Sequence, residues 1–158
     1  MHEVNAHKYK KELVLTEHQI LEKAAEIIAN KYLRGDTFCN PQATQDFLKY
    51  KLANNEREVF AVLLLDNQHR LIEYQELFFG TIDSANIYPR EVVKVCIQAN
   101  ASAVIFAHNH PSGVAEPSQA DRRITERLKD ALALIDVRTL DHIVVGEDCV
   151  SFAEKGWI

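Results

Sequence analysis

Two histidines stand two positions apart in Ala107-His108-Asn109-His110-Pro111-Ser112-Gly113, at the end of the apolar run Ala103-Val104-Ile105-Phe106. Successive strand residues point to opposite faces, so a strand ending here sends His108 and His110 to the same side. Two imidazoles placed that way can converge on one metal ion. Zinc in hydrolases takes three protein ligands, nitrogen or carboxylate oxygen, and keeps a fourth position for water. Asp121 offers the third ligand. Pro111, Gly113 and Pro117 shape a loop that can bring the first turn of the next helix back to face the histidines.

Plainer readings stand beside this one. The histidines could be polar loop residues before a Pro-Ser-Gly turn, and Ser118-Gln119-Ala120-Asp121 is a good helix capping box by itself. The letters His-Asn-His also spell a nuclease motif, but that motif's residues are widely separated, so the spelling carries nothing. The joint arrangement of strand, same-face histidines, tight loop and helix start favours the metal site.

Hydrolysis at such a site needs a general base beside the water. Glu58 opens the apolar run Val59 to Leu65, where an acid is costly unless it has a role. An exposed residue at a strand end is the alternative. Glu73 and Glu76, on the next segment, compete with it on spacing alone. His142, after Asp141, is either a group that orients a ligand or a satisfied core histidine. Tyr88-Pro89-Arg90-Glu91 either borders a substrate groove or only starts a helix.

These residues need a scaffold, and 158 residues suffice for one domain with a hydrophobic core. An arm over residues 1 to 15, paired as a strand or docked at Leu13-Val14-Leu15, leads to a capping box at Thr16-Glu17-His18-Gln19. Ile20, Leu21, Ala24, Ala25, Ile27, Ile28 and Tyr32 then recur at helical spacing up to Gly35. A second helix starts at Asn40-Pro41 and turns Phe47, Leu48 and Leu52 inward. Glu58 to Asp66 reads as a central strand, with Arg70 to Phe79 as its hairpin partner. Pro89 opens a helix with Val92, Val93, Val95, Cys96 and Ile97 facing inward. Ala103 to Ala107 is a buried strand that delivers His108. Ser118 begins a helix to about Leu134, with Ile124, Leu128, Leu132 and Ile135 on one side. Leu140 to Val145 is a strand, Val150 to Phe152 its short partner, and Trp157 a packed residue. The order is that of a mixed α/β layer fold.

The net charge of -5 argues against a protein that binds DNA through its phosphates. Cys39, Cys96 and Cys149 form no CxxC pair and no even disulfide set, which suits buried thiols in a reducing compartment. No stretch approaches the ~20 apolar residues of a membrane span, and no signal-peptide pattern opens the chain. The expected location is the cytoplasm. Oligomeric state is not encoded in any feature of this kind.

His108-Asn109-His110-Pro111-Ser112-Gly113, followed by Pro117-Ser118 and Asp121, resembles the signature of JAMM (MPN+) metalloproteases, and more narrowly the bacterial RadC family. Arg57-Glu58-Val59-Phe60, Phe79-Gly80-Thr81-Ile82, Tyr88-Pro89-Arg90-Glu91-Val92 and Asp141-His142-Ile143-Val144-Val145-Gly146 fit the same family. The resemblance spans residues 37 to 158, leaving 1 to 36 as an arm and helix packed on that domain. It implies a JAB/MPN-type α/β fold, a curved mixed sheet flanked by helices and related to cytidine deaminases. It also implies one zinc ion held by His108, His110 and Asp121, with Glu58 as acid/base and Ser118 placing the water or stabilising the oxyanion. A deaminase itself is disfavoured, since no His-x-Glu with a downstream Pro-Cys-x-x-Cys is present. Longer family members carry an N-terminal helix-hairpin-helix region, for which this chain is too short.

The activity so implied is cleavage of a peptide or isopeptide-like amide, the substrate being an unidentified protein or peptide; eukaryotic relatives cut ubiquitin-type isopeptides. The competing expectations are a non-catalytic binding module linked to DNA repair or a mobile element, and a metal-dependent nuclease.

Overall fold

The apolar run that follows Glu58 becomes an interior strand of the sheet. In a computed structural model, which describes residues 14–33, 41–82 and 86–158, the elements are α1 (Glu17–Ile28), a π-helical turn Ala29–Leu33, α2 (Pro41–Leu52), β1 (Val59–Leu65), β2 (Leu71–Phe79), α3 (Pro89–Gln98), β3 (Ala103–Asn109), α4 (Gln119–Ala133), β4 (Arg138–Val145) and β5 (Cys149–Ser151). All seven residues of β1 and all seven of β3 are buried, because both strands are covered on two faces. The sheet order is β2-β1-β3-β4-β5. Only β3 and β4 run parallel, joined by α4; the other neighbours are antiparallel. The expected mixed sheet flanked by helices is therefore present.

Alternation along the strands divides the core in two. Val59, Leu63 and Leu65 of β1, with Ala103, Ile105 and Ala107 of β3, pack with Ala25 of α1 and Phe47, Leu48 and Leu52 of α2. Phe60, Val62 and Leu64, with Val104 and Phe106, face Val92 and Cys96 of α3 and Ile124, Leu128 and Leu132 of α4. His108 continues the second set, so it emerges on the α3/α4 side. A smaller cluster of Ala115, Val144 and Phe152 receives Trp157.

Helix starts follow their local chemistry. Thr16 caps α1 in a reciprocal box with Gln19. Pro89 occupies the first turn of α3. One inward assignment is corrected, and two residues of the α1 helical pattern lie off its buried face. Ile97 is 63% exposed, because it lies about 140° around the helix from buried Val92. Ile20 and Ile27 likewise point away from the face that buries Ala25. Val14 is exposed and belongs to no strand, while Leu13, Gly35, Cys39 and Asn40 lie outside the described residues. The Cys96 and Cys149 thiols are free, and burial pushes each up to about 11. No described helix is long and apolar enough to cross a membrane.

The loop from β3 to α4 is braced from β4. The Glu147 N–H donates to the Gly113 carbonyl at 2.8 Å. Gly146 lies so close that an added Cβ would stand 2.4 Å from the Gly113 oxygen and 2.9 Å from the Ala115 nitrogen. Backbone cannot yield as a side-chain tip can. Gly146→Ala is expected to destabilise the protein by about 1–3 kcal/mol, read from the denaturant midpoint. An unchanged midpoint would mean that the loop shifts without cost.

Candidate metal centre

β3 carries its last buried polar residues, His108 and Asn109, to the end of the sheet, and His110 follows directly. The His110 N–H still donates to the Val145 carbonyl at 2.8 Å, which extends the parallel ladder by one rung. His108 and His110 therefore share a side, as alternation requires. Pro111 and Ser112 turn the chain, the Gly113 N–H donating to the His110 carbonyl at 2.9 Å, and Gly113 adopts φ 85°. Ser118 then caps α4, and Asp121 sits in its first turn, 2% exposed.

Three residues bring metal-ligating atoms together there, Asp121 offering a different oxygen to each histidine. His108 Nε2 is 3.1 Å from His110 Nε2, and it is 3.3 Å from Asp121 Oδ1. His110 Nε2 is 3.5 Å from Asp121 Oδ2. A tetrahedral zinc ion with bonds of ~2.0–2.1 Å needs ligand atoms ~3.3 Å apart, so the spacing and the two-nitrogen, one-carboxylate donor set fit it. Among the described residues this is the one His/Cys/Asp/Glu group so arranged. His110 Nδ1 donates to the Val114 carbonyl at 2.9 Å, which reserves Nε2 for the site. His108 is fully buried, while the His110 side chain keeps 14% exposure and marks the open edge.

Asp121 completes the cap of α4 and also faces both histidines. Its Oδ2 accepts the Ser118 N–H at 2.7 Å, and its own N–H donates to Ser118 Oγ at 3.1 Å. Oδ1 is left to face His108. Burial alone would raise this carboxyl, but the two imidazoles and the Ser118 N–H outweigh it and hold Asp121 well below the usual carboxylate range. His110 is raised above its ordinary value, chiefly by its hydrogen bond to Asp121 against the opposing effect of burial. The Val114 carbonyl and the charges of Asp121 and Glu58 add to the rise.

Glu58 precedes β1 by one residue and is half-buried. Phe60 pairs with His108, and the same register carried outward sets Glu58 opposite His110. Its Oε2 accepts the Ile82 N–H at 2.6 Å, and its main-chain carbonyl accepts the Gly80 N–H. The rival glutamates lie elsewhere. Glu73 pairs with Leu64, toward the far end of β1. Glu76 pairs with Ala61 because a bulge after Phe60 shifts the register, which sends Glu76 to the α1/α2 face beside Tyr74.

Two residues escaped the reading of the sequence. Asn109, between the histidines and 3% exposed, points to the opposite face. Its Oδ1 accepts the Val59 N–H at 2.7 Å and its Nδ2 donates to the Arg57 carbonyl at 3.1 Å, which clamps the segment carrying Glu58. A polar letter in a buried strand was the signal available. Thr125, one turn after Asp121, hydrogen-bonds His142. His142 itself is fully buried, and its Nε2 lies 2.8 Å from Nδ1 of the candidate ligand His108.

Comparison with known proteins gives a family match over most of the chain. The family described as RadC-like JAB domain matches residues 38–157. A UPF0758 protein of Vibrio cholerae serotype O1 is 65% identical over 150 residues, covering 95% of this chain and 96% of the relative. A second from the same organism is 61% identical over 152 residues, covering 96% of each chain. A UPF0758 protein of Aeromonas hydrophila is 57% identical over 140 residues, covering 88% of this chain and 62% of the longer relative.

In the metal-free protein, the stability that the raised His110 contributes is fully present below pH ~6.5 and is lost as pH rises through its higher folded value. Asp121→Asn keeps a capping oxygen but removes the charge. It should move the His110 titration to lower pH, followed by NMR of the ring protons in chelator. A midpoint that does not move would show that Asp121 does not face His110 in solution.

Proposed function

The chain belongs to the RadC-like JAB domain family, and from that membership we propose that it is a zinc-dependent hydrolase cleaving a peptide or isopeptide-like amide bond. The observation that carries the proposal is the His108-His110-Asp121 triangle, in which His108 Nε2 stands 3.1 Å from His110 Nε2 and 3.3 Å from Asp121 Oδ1, a spacing that suits a tetrahedral ion. A zinc ion there supplies Lewis acidity, bringing a water toward a pKa of ~7 and polarising a carbonyl.

The chain's own groups do the rest. Glu58, opposite His110, takes the proton from the attacking water and returns it to the leaving amine. The Ile82 N–H holds Glu58 Oε2, which leaves Oε1 for the proton. Ser118 Oγ accepts the Asp121 N–H, so its own O–H is a donor for the oxyanion that develops on the carbonyl. Buried His108 and Asp121 close the inner side against water, and substrate enters past His110. The net charge of -5 disfavours a nucleic-acid substrate.

Purified protein is expected to contain about one zinc per chain. Glu58→Gln should retain the zinc and lose about 10²–10⁴-fold in turnover on peptides selected from a library. His108→Ala should lose the zinc. Full turnover in Glu58→Gln would remove Glu58 as the base. Absence of metal from the wild type would sink the hydrolase reading. Cleavage of DNA but not peptide would replace it with a nuclease, and metal without any turnover would replace it with a binding module.

A further inference from the structure

The hydrogen bonds behind His108 have only one consistent set of proton directions. Thr125 Oγ1 lies 2.6 Å from the main-chain carbonyl of Asp121, one turn back in α4. A carbonyl can only accept, so the Thr125 proton is committed to it. Thr125 Oγ1 also lies 2.5 Å from His142 Nδ1. With its single proton spent, the hydroxyl must accept there, and Nδ1 of His142 must carry the hydrogen.

His142 is enclosed by rings. Phe152 stacks on it at 4.7 Å between centroids, and Phe60 and Phe106 meet it edge-on at 5.6 and 6.1 Å. It has no exposure, and no carboxylate is among its hydrogen-bond partners. A cation in such a shell is expensive, so the ring is neutral. A neutral ring protonated at Nδ1 offers a lone pair at Nε2. That lone pair faces His108 Nδ1 at 2.8 Å, so His108 must donate from Nδ1. Its Nε2 is then bare and aimed at the triangle. The series begins on the carbonyl of Asp121 and ends facing the side chain of the same residue.

We propose that Thr125 and His142 are positioning residues that lock His108 in the one neutral tautomer able to bind a metal through Nε2. This rests on the reading of the triangle as a metal site. His110 uses a main-chain carbonyl for the same purpose, which needs no further support. His108 lies deeper in the sheet, where its neighbour is a second imidazole of ambiguous polarity, and Thr125 removes that ambiguity. Without the hydroxyl, His142 is free to carry its proton on Nε2. His108 would then carry its own on Nε2, and the metal would have to displace it.

The first test is direct and needs no substitution. In metal-free wild-type protein labelled with nitrogen-15 at histidine, His108 is expected to be protonated at Nδ1 and bare at Nε2. The opposite tautomer would overturn the proposal. The second is zinc affinity by competition with a chelator. Thr125→Val, which keeps the shape and loses the hydroxyl, should weaken zinc binding about 10–100-fold. It should also introduce a population of His108 protonated at Nε2. Thr125→Ser should restore both. Wild-type affinity in Thr125→Val overturns the proposal, as does a weakening that serine does not rescue. If wild-type protein binds no zinc, the hydrolase reading fails, while the nitrogen-15 measurement still decides whether His108 is locked. Should Thr125→Val not fold, that measurement on the wild type stands alone as the deciding one.

Discussion

Bare imidazole nitrogens and an ionised carboxylate repel one another when they are packed together away from water. Something positive must stand among them, a proton or a metal ion, and the surrounding fold is arranged to keep them there. The Val114 carbonyl fixes His110 from behind. The cap of α4 fixes Asp121. Three rings and a helix hydroxyl surround the imidazole behind His108. Each of these supports restrains a side chain that would otherwise be freer to turn its lone pair outward. In metal-free protein the hydrogen bond to Asp121 favours a proton on His110, which is one source of that positive charge.

Such a cluster demands rigid elements, and the sheet supplies them. Asn109 shows how tightly the two halves of the site are joined. Its neighbours on either side face α3 and α4, while its own amide reaches through the opposite face to the main chain before β1. The same three-residue segment thus carries both histidines and fixes the entrance of the strand that Glu58 precedes. Hydrogen bonds from a buried amide to main chain leave little freedom, since any slip would strand polar groups out of water. Asp141 does related duty at β4. Its oxygens take the N–H groups of His142 and Ala153 and the Ser151 hydroxyl, tying the last residues of the chain to the strand that carries His142.

Much of this was legible in the sequence because it depends on parity and on local chemistry. Strand alternation put His108 and His110 on one side, and Ser118 with Asp121 announced a helix start. Those signals act over a few residues. The choice among glutamates was not legible, because alternation along β2 sets Glu76 on the face of Phe78, which is the face of His108. A single bulge reverses it. The partnership of His142 with His108 spans 34 positions and depends on the parallel register of β3 and β4. Thr125 looked like any helix residue, since its value lies in which group its proton leaves unsatisfied. Ile97 misled for the opposite reason, being apolar at a position where helical phase turns it to solvent.

The double duty of Asp121 has an evolutionary reading. A helix cap asks only for an oxygen that can take an N–H group, and asparagine supplies one as well as aspartate does. The metal asks for a negative charge, which asparagine lacks. The two residues are separated by one base in their codons. A lineage could therefore abandon chemistry at this site in a single step while the helix start, the loop before it and the core beneath it stayed in place. Descendants of that kind would keep the shape of the family and be available as scaffolds. Telling them apart from working relatives would require reading one letter rather than comparing folds.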